Sequence, residues 1–236
     1  MPGQPAGVHF LLPRIAVEIV RAAGVGPGDL VFDLGAGLGA LTAPLAASGA
    51  RVVAVEINPG YARRLANRHP SVRVVVADLR TVPLPRQPFH VVANIPFATT
   101  SVLVRRLLDV GGPPLTRADL VVEEGAARRL AGPPRDAAAR RRHAHFAIRV
   151  GRRLPPGCFT PPPRAAAAVV TIRRYPMSLK TERHLARLLT EAERHPDRAV
   201  RTVTASARRV GLHPAQPLAT VAPDAWRALA EALTGS

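Results

Sequence analysis

Up to about residue 175, short apolar runs rich in valine and leucine alternate with stretches of helical character. The strand-like runs are Leu30 to Leu34, Arg51 to Glu56, Val72 to Val76, His90 to Ala93, Asp119 to Val122, Phe146 to Val150 and Ala168 to Ile172. Each early intervening segment is long enough for a crossover helix, which predicts an α/β fold, a parallel sheet covered by helices. Pro59, following a capping Asn58, marks a first helical turn, and Thr100 to Asp109 reads as a further helix with Val102, Leu103 and Leu107 on its apolar side. Pro155, Pro156, Pro161, Pro162 and Pro163 form a rigid connector. Beyond Tyr175 the strand-like runs stop, and helical patterns occupy Glu182 to Glu193, Ala199 to Val210 and Pro223 to Leu233. The expected division is a sheet domain over 1–175 and a small all-helical domain over 176–236.

Composition sharpens this picture. With 236 residues, 47% hydrophobic and 4% aromatic, the chain can bury one sizeable core and a small satellite. Its apolar stretches are too short and too interrupted by arginine and proline to cross a membrane. The N-terminus has no cationic segment leading into an apolar run, so a secretory signal is not expected. Cys158 is the sole cysteine, which excludes an internal disulfide and a cysteine metal cluster. A cytoplasmic, metal-free protein follows as the expectation.

The net charge of +17 says most through its distribution. Residues 1–100 carry +4 and residues 101–236 carry +13. Lys180 is the single lysine, so part of the arginine excess reflects GC-rich coding. The run from Arg128 to Arg153 holds nine arginines, Arg140, Arg141 and Arg142 among them, against the one acid Asp136. It lacks the alternating acids of a salt-bridged face and reads as a polyanion contact, the alternative being a solvated loop.

Candidate chemistry lies at the ends of the early strands. Asp33-Leu34-Gly35-Ala36-Gly37-Leu38-Gly39 closes one strand and opens a helix, a place where glycines let backbone approach a cofactor. Its G-x-G-x-G spacing departs from a dinucleotide fingerprint, and Asp33 suits a cofactor bearing an ammonium group rather than a pyrophosphate. Glu56 ends the next strand, where an acid accepts hydrogen bonds from ribose hydroxyls. Asp78, before Leu79, either faces an adenine amine or caps a helix. Asn94-Ile95-Pro96-Phe97 follows the fourth strand. Proline biases Ile95 to an extended conformation, so its carbonyl and the Asn94 side chain offer two acceptors to one amine. Two such bonds favour a pyramidal nitrogen with a free lone pair, and Phe97 offers a face for an unstacked base, worth ~1 to 3 kcal/mol.

In order and spacing these motifs resemble an S-adenosylmethionine-dependent adenine-N6 methyltransferase. More narrowly the chain is similar to the Erm family of 23S rRNA dimethyltransferases, close relatives of the KsgA 16S enzymes. His9-Phe10-Leu11, Val121 to Leu130 and Phe159-Thr160-Pro161-Pro162-Pro163-Arg164 extend the likeness almost end to end, with Trp226 and Leu229 near the C-terminus. Departures are Val8 in place of the family's usual glutamine, a first cation only at Arg14, and Ala165 to Ala168 after the proline segment.

The resemblance implies a Rossmann-like class I methyltransferase sheet with a helical domain docking rRNA. It implies a cofactor set of His9, Leu11, Asp33, Gly35, Gly37, Glu56, Ile57, Asp78, Leu79 and Asn94. Asn94, Ile95, Pro96 and Phe97 would form the catalytic set, with Phe159 on the base's other face and Arg140, Arg141 and Arg142 on RNA. The implied activity is methyl transfer to adenine N6 in 23S rRNA by a monomer, conferring macrolide resistance. A KsgA-like 16S enzyme is the near rival. A small-molecule N-methyltransferase would not need the basic second half, and a non-catalytic RNA-binding module would not need the Asn94 to Phe97 motif.

Overall fold

The computed structural model describes residues 9–234; Val8, whose departure from the family pattern was noted above, lies outside them. The chain forms two compact units, residues 1–132 with 148–173, and residues 133–147 with 174–236.

The first unit starts with a two-residue strand, β1 (Phe10–Leu11), and the helix α1 (Pro13–Ala23). Pro13 takes the first helical turn, where its missing N–H costs nothing, and Gly24 ends the helix at φ 64°. Ile15, Ala16, Ile19, Val20 and Ala23 make one buried stripe. Then follow β2 (Leu30–Leu34), α2 (Thr42–Ala47), β3 (Arg51–Glu56), α3 (Pro59–Arg68), β4 (Arg73–Val76), β5 (Phe89–Asn94), α4 (Thr100–Leu107), β6 (Leu115–Glu123) and α5 (Glu124–Ala131). Asn58 caps α3 as expected, its Oδ1 accepting the N–H groups of Gly60 and Tyr61.

After α6 (Ala137–His145) come β7 (Phe146–Leu154), β8 (Phe159–Thr160) and β9 (Ala167–Arg174). Seven strands line up in the order β4-β3-β2-β5-β6-β9-β7. The pairs β2–β3, β3–β4, β2–β5 and β5–β6 are parallel, and β9 runs antiparallel to β6. The chain works outward from β2 to β4 and then jumps back to β5. The carboxyl ends of β2 and β5 therefore flank the point where the strand order reverses, the usual binding crevice of such sheets. The expected strands all form, the later ones longer than the apolar runs alone.

No helix occupies residues 77–88. That segment is held by Arg106 of α4, which donates to the carbonyls of Leu79 at 2.7 Å and Val82 at 2.6 Å. The proline connector also does more than join elements. Its strand β8 pairs antiparallel with β1, Phe10 opposite Thr160 and Leu11 opposite Phe159.

The second unit corrects the expected single boundary at residue 175. It contains α6 as well as α7 (Leu179–Arg194) and α8 (Pro223–Ala232). Ala144 of α6 packs in one core with Leu185, Leu188, Trp226 and Leu229, and the Tyr175 N–H donates to the His145 carbonyl. The helix expected over Ala199 to Val210 is two short 3-10 segments, Val200–Thr202 and Ala205–Val210. Val200 and Arg201 give their N–H groups to the carbonyls of Gln216 and Pro214 instead of a preceding turn. The Thr204 side chain caps the second segment.

Candidate active site and cofactor pocket

A cavity of about 480 Å³ opens at the reversal point of the sheet. Gly35 and Gly37 from the glycine turn, Glu56 and Ile57 after β3, Leu79, and Asn94 to Phe97 after β5 all line it, together with His9 and Phe159. Residues distant in sequence thus meet at one cavity, as the motif spacing implies.

Glu56 is buried and lies across the glycine turn. Its Oε2 accepts the Gly37 N–H at 2.7 Å and its Oε1 the Asn58 N–H at 2.8 Å. Each oxygen keeps a second lone pair, so the carboxylate can still take a pair of hydroxyls. Gly37 sits at φ 55°, and a Cβ there would come 2.8 Å from the Phe10 ring. The position therefore tolerates neither the backbone angle nor the bulk of another residue.

At the other end of the cavity the Asn94 side chain is held in one orientation. Its Nδ2 donates to the His9 carbonyl at 2.8 Å, which leaves Oδ1 as a free acceptor. The Ile95 N–H is used by the Val121 carbonyl at 3.1 Å. The Pro96 carbonyl accepts the Thr99 N–H at 2.9 Å, fixing the turn that carries Phe97.

Three expected cofactor residues are not in the lining. Asp33 is only 1% exposed, and its Oδ2 accepts the Thr42 hydroxyl at 2.6 Å. Leu11 is a core residue, because strand alternation sends its neighbour Phe10 into the cavity instead. Asp78 neither lines the cavity nor caps a helix. It pairs with Arg80, whose guanidinium lies 2.6 Å from Oδ2, and its Oδ1 accepts the Arg80 N–H. Arg80 holds this half-buried carboxyl below its usual range.

Arg140, Arg141 and Arg142 fall in α6 of the second unit. Arg141 is a structural tie: its Nε and a terminal nitrogen each lie 2.6 Å from Glu193, and it reaches Thr190 at 3.1 Å. Nε of Arg142 is buried. Reading Arg141 as a free phosphate ligand is thereby corrected, since its guanidinium is paired with Glu193.

The lining also includes Phe10, Pro59, Tyr61 and Thr99, which the motifs did not single out. Phe10 and Tyr61 meet edge to face at 6.1 Å. The Asn58-Pro59 helix start after Glu56 was the available signal for Tyr61, since it places the first turn of α3 beside that acid.

Burial pushes the Asp33 carboxyl up from its usual 3.8 to about 7, with Glu56 adding to the rise and the Thr42 hydrogen bond opposing it. The folded state thus holds this proton more tightly than the unfolded chain. Its contribution to stability is complete below 3.8 and is lost as pH rises through about 7. The full effect is about 4 kcal/mol. Asp33→Asn is expected to remove it, so urea denaturation should show the variant gaining on the wild type across that window. Parallel pH curves would contradict the buried-proton assignment.

The residues present fit a nucleoside cofactor. Ile57 is an apolar side chain left 62% exposed at the cavity, as a wall for a flat base would be, and Glu56 supplies hydroxyl acceptors nearby. A parallel sheet reversing at a glycine turn, with this acid and the Asn-Ile-Pro-Phe turn facing one cavity, defines a Rossmann-like methyltransferase. The model of the ribosomal RNA adenine dimethylase family matches residues 6–209. The chain belongs to that family.

Among its relatives, an rRNA adenine N-6-methyltransferase of Bacillus licheniformis is 30% identical over 72% of this chain. The match spans 61% of that protein, less than two thirds of its length. The ribosomal RNA small subunit methyltransferase A of Synechococcus sp. (strain RCC307) is 34% identical, covering 96% of this chain and 94% of the relative. The crystal structure of the 23S rRNA methyltransferase ErmE has a TM-score of 0.73 at 25% identity, covering 95% of this chain and 99% of that one.

Proposed function

We propose that this protein methylates N6 of an adenine in 23S rRNA with S-adenosylmethionine as the methyl donor. One observation carries the reading: the Asn94 side chain is tied by its Nδ2 so that Oδ1 serves the same cavity as Glu56. Gly35, Gly37, Glu56, Ile57 and Leu79 would hold the cofactor, which supplies an electrophilic methyl group. Asn94 Oδ1 and the Ile95 carbonyl accept the two N–H groups of the adenine amine, which frees its lone pair. Phe97 and Phe159 supply flat surfaces that grip the base. No general base is required beforehand, because the proton becomes acidic once nitrogen has gained its fourth bond and then passes to solvent from beside Asn94.

Family membership accommodates both large- and small-subunit substrates. End-to-end likeness runs both to the ErmE structure and to the small-subunit relative, and the compact helical segment after Tyr175 is what favours 23S rRNA. On this reading the protein works in the cytoplasm as a monomer, where ribosomal RNA is made. The residues of the helical unit, 133–147 and 174–236, would contact RNA through arginines other than Arg141.

The deciding experiment is mass-spectrometric mapping of methylated adenine in rRNA from a macrolide-sensitive bacterium expressing the chain. Methylation in the peptidyl-transferase loop with raised macrolide tolerance is the expected result. A methyl on that amine adds bulk and removes a donor from the drug's contact surface. Methylated 16S rRNA with unchanged tolerance would instead establish the small-subunit reading.

A further inference from the structure

Three hydrogen-bonding and packing relations around the cavity converge on one residue. The His9 carbonyl takes the Asn94 amide at 2.8 Å, and the His9 ring Nδ1 lies 2.9 Å from the Pro161 carbonyl. The ring centre is 6.2 Å from that of Phe97, and the next residue along, Phe10, opens the β1–β8 pairing that carries Phe159. His9 thus touches the group that would accept the target amine and the strap that holds the second aromatic face.

We propose that His9 is a positioning residue that sets both halves of the target-base site, its carbonyl fixing the sense of the Asn94 amide and its ring N–H tethering the 159–161 strap. The proposal rests on the methyltransferase reading for its catalytic consequence, but not for the tether itself.

The chemistry of each contact determines its direction. A carbonyl can only accept, so the His9 oxygen must face Nδ2 of Asn94, and the amide is left presenting Oδ1 to the cavity. Turned over, the same side chain would point two donors at an amine that itself donates. The Pro161 carbonyl likewise requires a proton on Nδ1 of the His9 ring. The geometry thus gives the Nδ1 side of the ring a tethering role at the cavity wall.

These properties separate positioning from proton transfer. His9→Asn places an amide Nδ2–H where the ring Nδ1–H stands, which keeps the donor and removes the base. His9→Ala removes donor and base alike while its main-chain carbonyl still receives the Asn94 amide, so it tests the strap tether. Methyl transfer to a 23S rRNA fragment should fall on the order of 10- to 100-fold in kcat for His9→Ala, the scale expected when a reacting group is left loosely placed. KM for S-adenosylmethionine should change much less, and His9→Asn should recover most of kcat with an unaltered pH profile. Tryptic cleavage after the exposed Arg164, at the end of the strap, gives a readout independent of activity. It should accelerate several-fold in His9→Ala and return to the wild-type rate in His9→Asn.

Unchanged cleavage and unchanged kcat in His9→Ala would overturn the proposal. So would a His9→Asn variant as slow as His9→Ala, or one whose pH profile loses a limb, since either points to the ring as a proton acceptor. If the wild type methylated no ribosomal RNA while cleavage after Arg164 still responded to His9, the tether would stand and the proposed function would fall.

Discussion

Asn94→Ala should lower methyl transfer to rRNA on the order of 100- to 1000-fold, the scale seen when one preorganised hydrogen-bonding group at a reacting centre is removed. The substitution deletes the Oδ1 acceptor and leaves the His9 carbonyl without its donor. Cofactor affinity should move only a few-fold, because Glu56 and the glycine turn keep their mutual hydrogen bond at 2.7 Å. Asn94→Asp is the sharper companion. It retains acceptors but sets a charged oxygen against the His9 carbonyl, so it too should fail to turn over. Labelled-methyl transfer together with calorimetric titration of S-adenosylmethionine measures both quantities. Near wild-type turnover in Asn94→Ala would remove this residue from the chemistry.

The second large effect is expected at Glu56. Its two carboxylate oxygens organise the wall of the cavity from inside, one taking the Gly37 N–H and the other the Asn58 N–H. Glu56→Ala strips acceptors from both buried donors and from the hydroxyls a ribose would bring. Losing a buried hydrogen-bonding partner of this kind costs about 1 to 3 kcal/mol, or a roughly 5- to 150-fold weaker dissociation constant. Glu56→Gln should fall between, since it keeps one acceptor and turns an NH2 group toward a backbone N–H. An alanine variant that binds S-adenosylmethionine as tightly as the wild type would exclude Glu56 from the cofactor site.

What could be read from sequence, and what could not, follows the range of the interactions. Strands β2 and β3 appear with the expected ends because each is a continuous apolar run closed by a turn or an acid, a purely local signal. Glu56 and the Asn94 to Phe97 turn were legible for the same reason, since strand ends at a reversal point face the crevice. The burial of Asp33 was not legible, because its partner Thr42 lies nine residues on, at the start of α2. Of the two alternatives at Asp78 the helix cap was not realised, because the crossover after it forms a turn closed by Arg80. Strand β1 is only two residues long and exists through its pairing with β8, far along the chain. In α6 the sequence Ala-Ala-Ala-Arg-Arg-Arg-His-Ala-His shows almost no amphipathic period, so its arginines looked like a free basic run. Only the fold shows Arg141 tied to Glu193.

The path of α6 has a further consequence for anyone wishing to take the protein apart. Because this helix enters the second unit from the middle of the chain, the backbone passes from one unit to the other after residues 132, 147 and 173. A scissor cut at residue 175 would carry α6 away with the wrong piece, leaving Leu185 and Trp226 without Ala144 and Glu193 without its arginine. Grafting the second unit between relatives therefore means transplanting 133–147 and 174–236 together. In such a chimera the inserted helix and the tail have to come from the same parent.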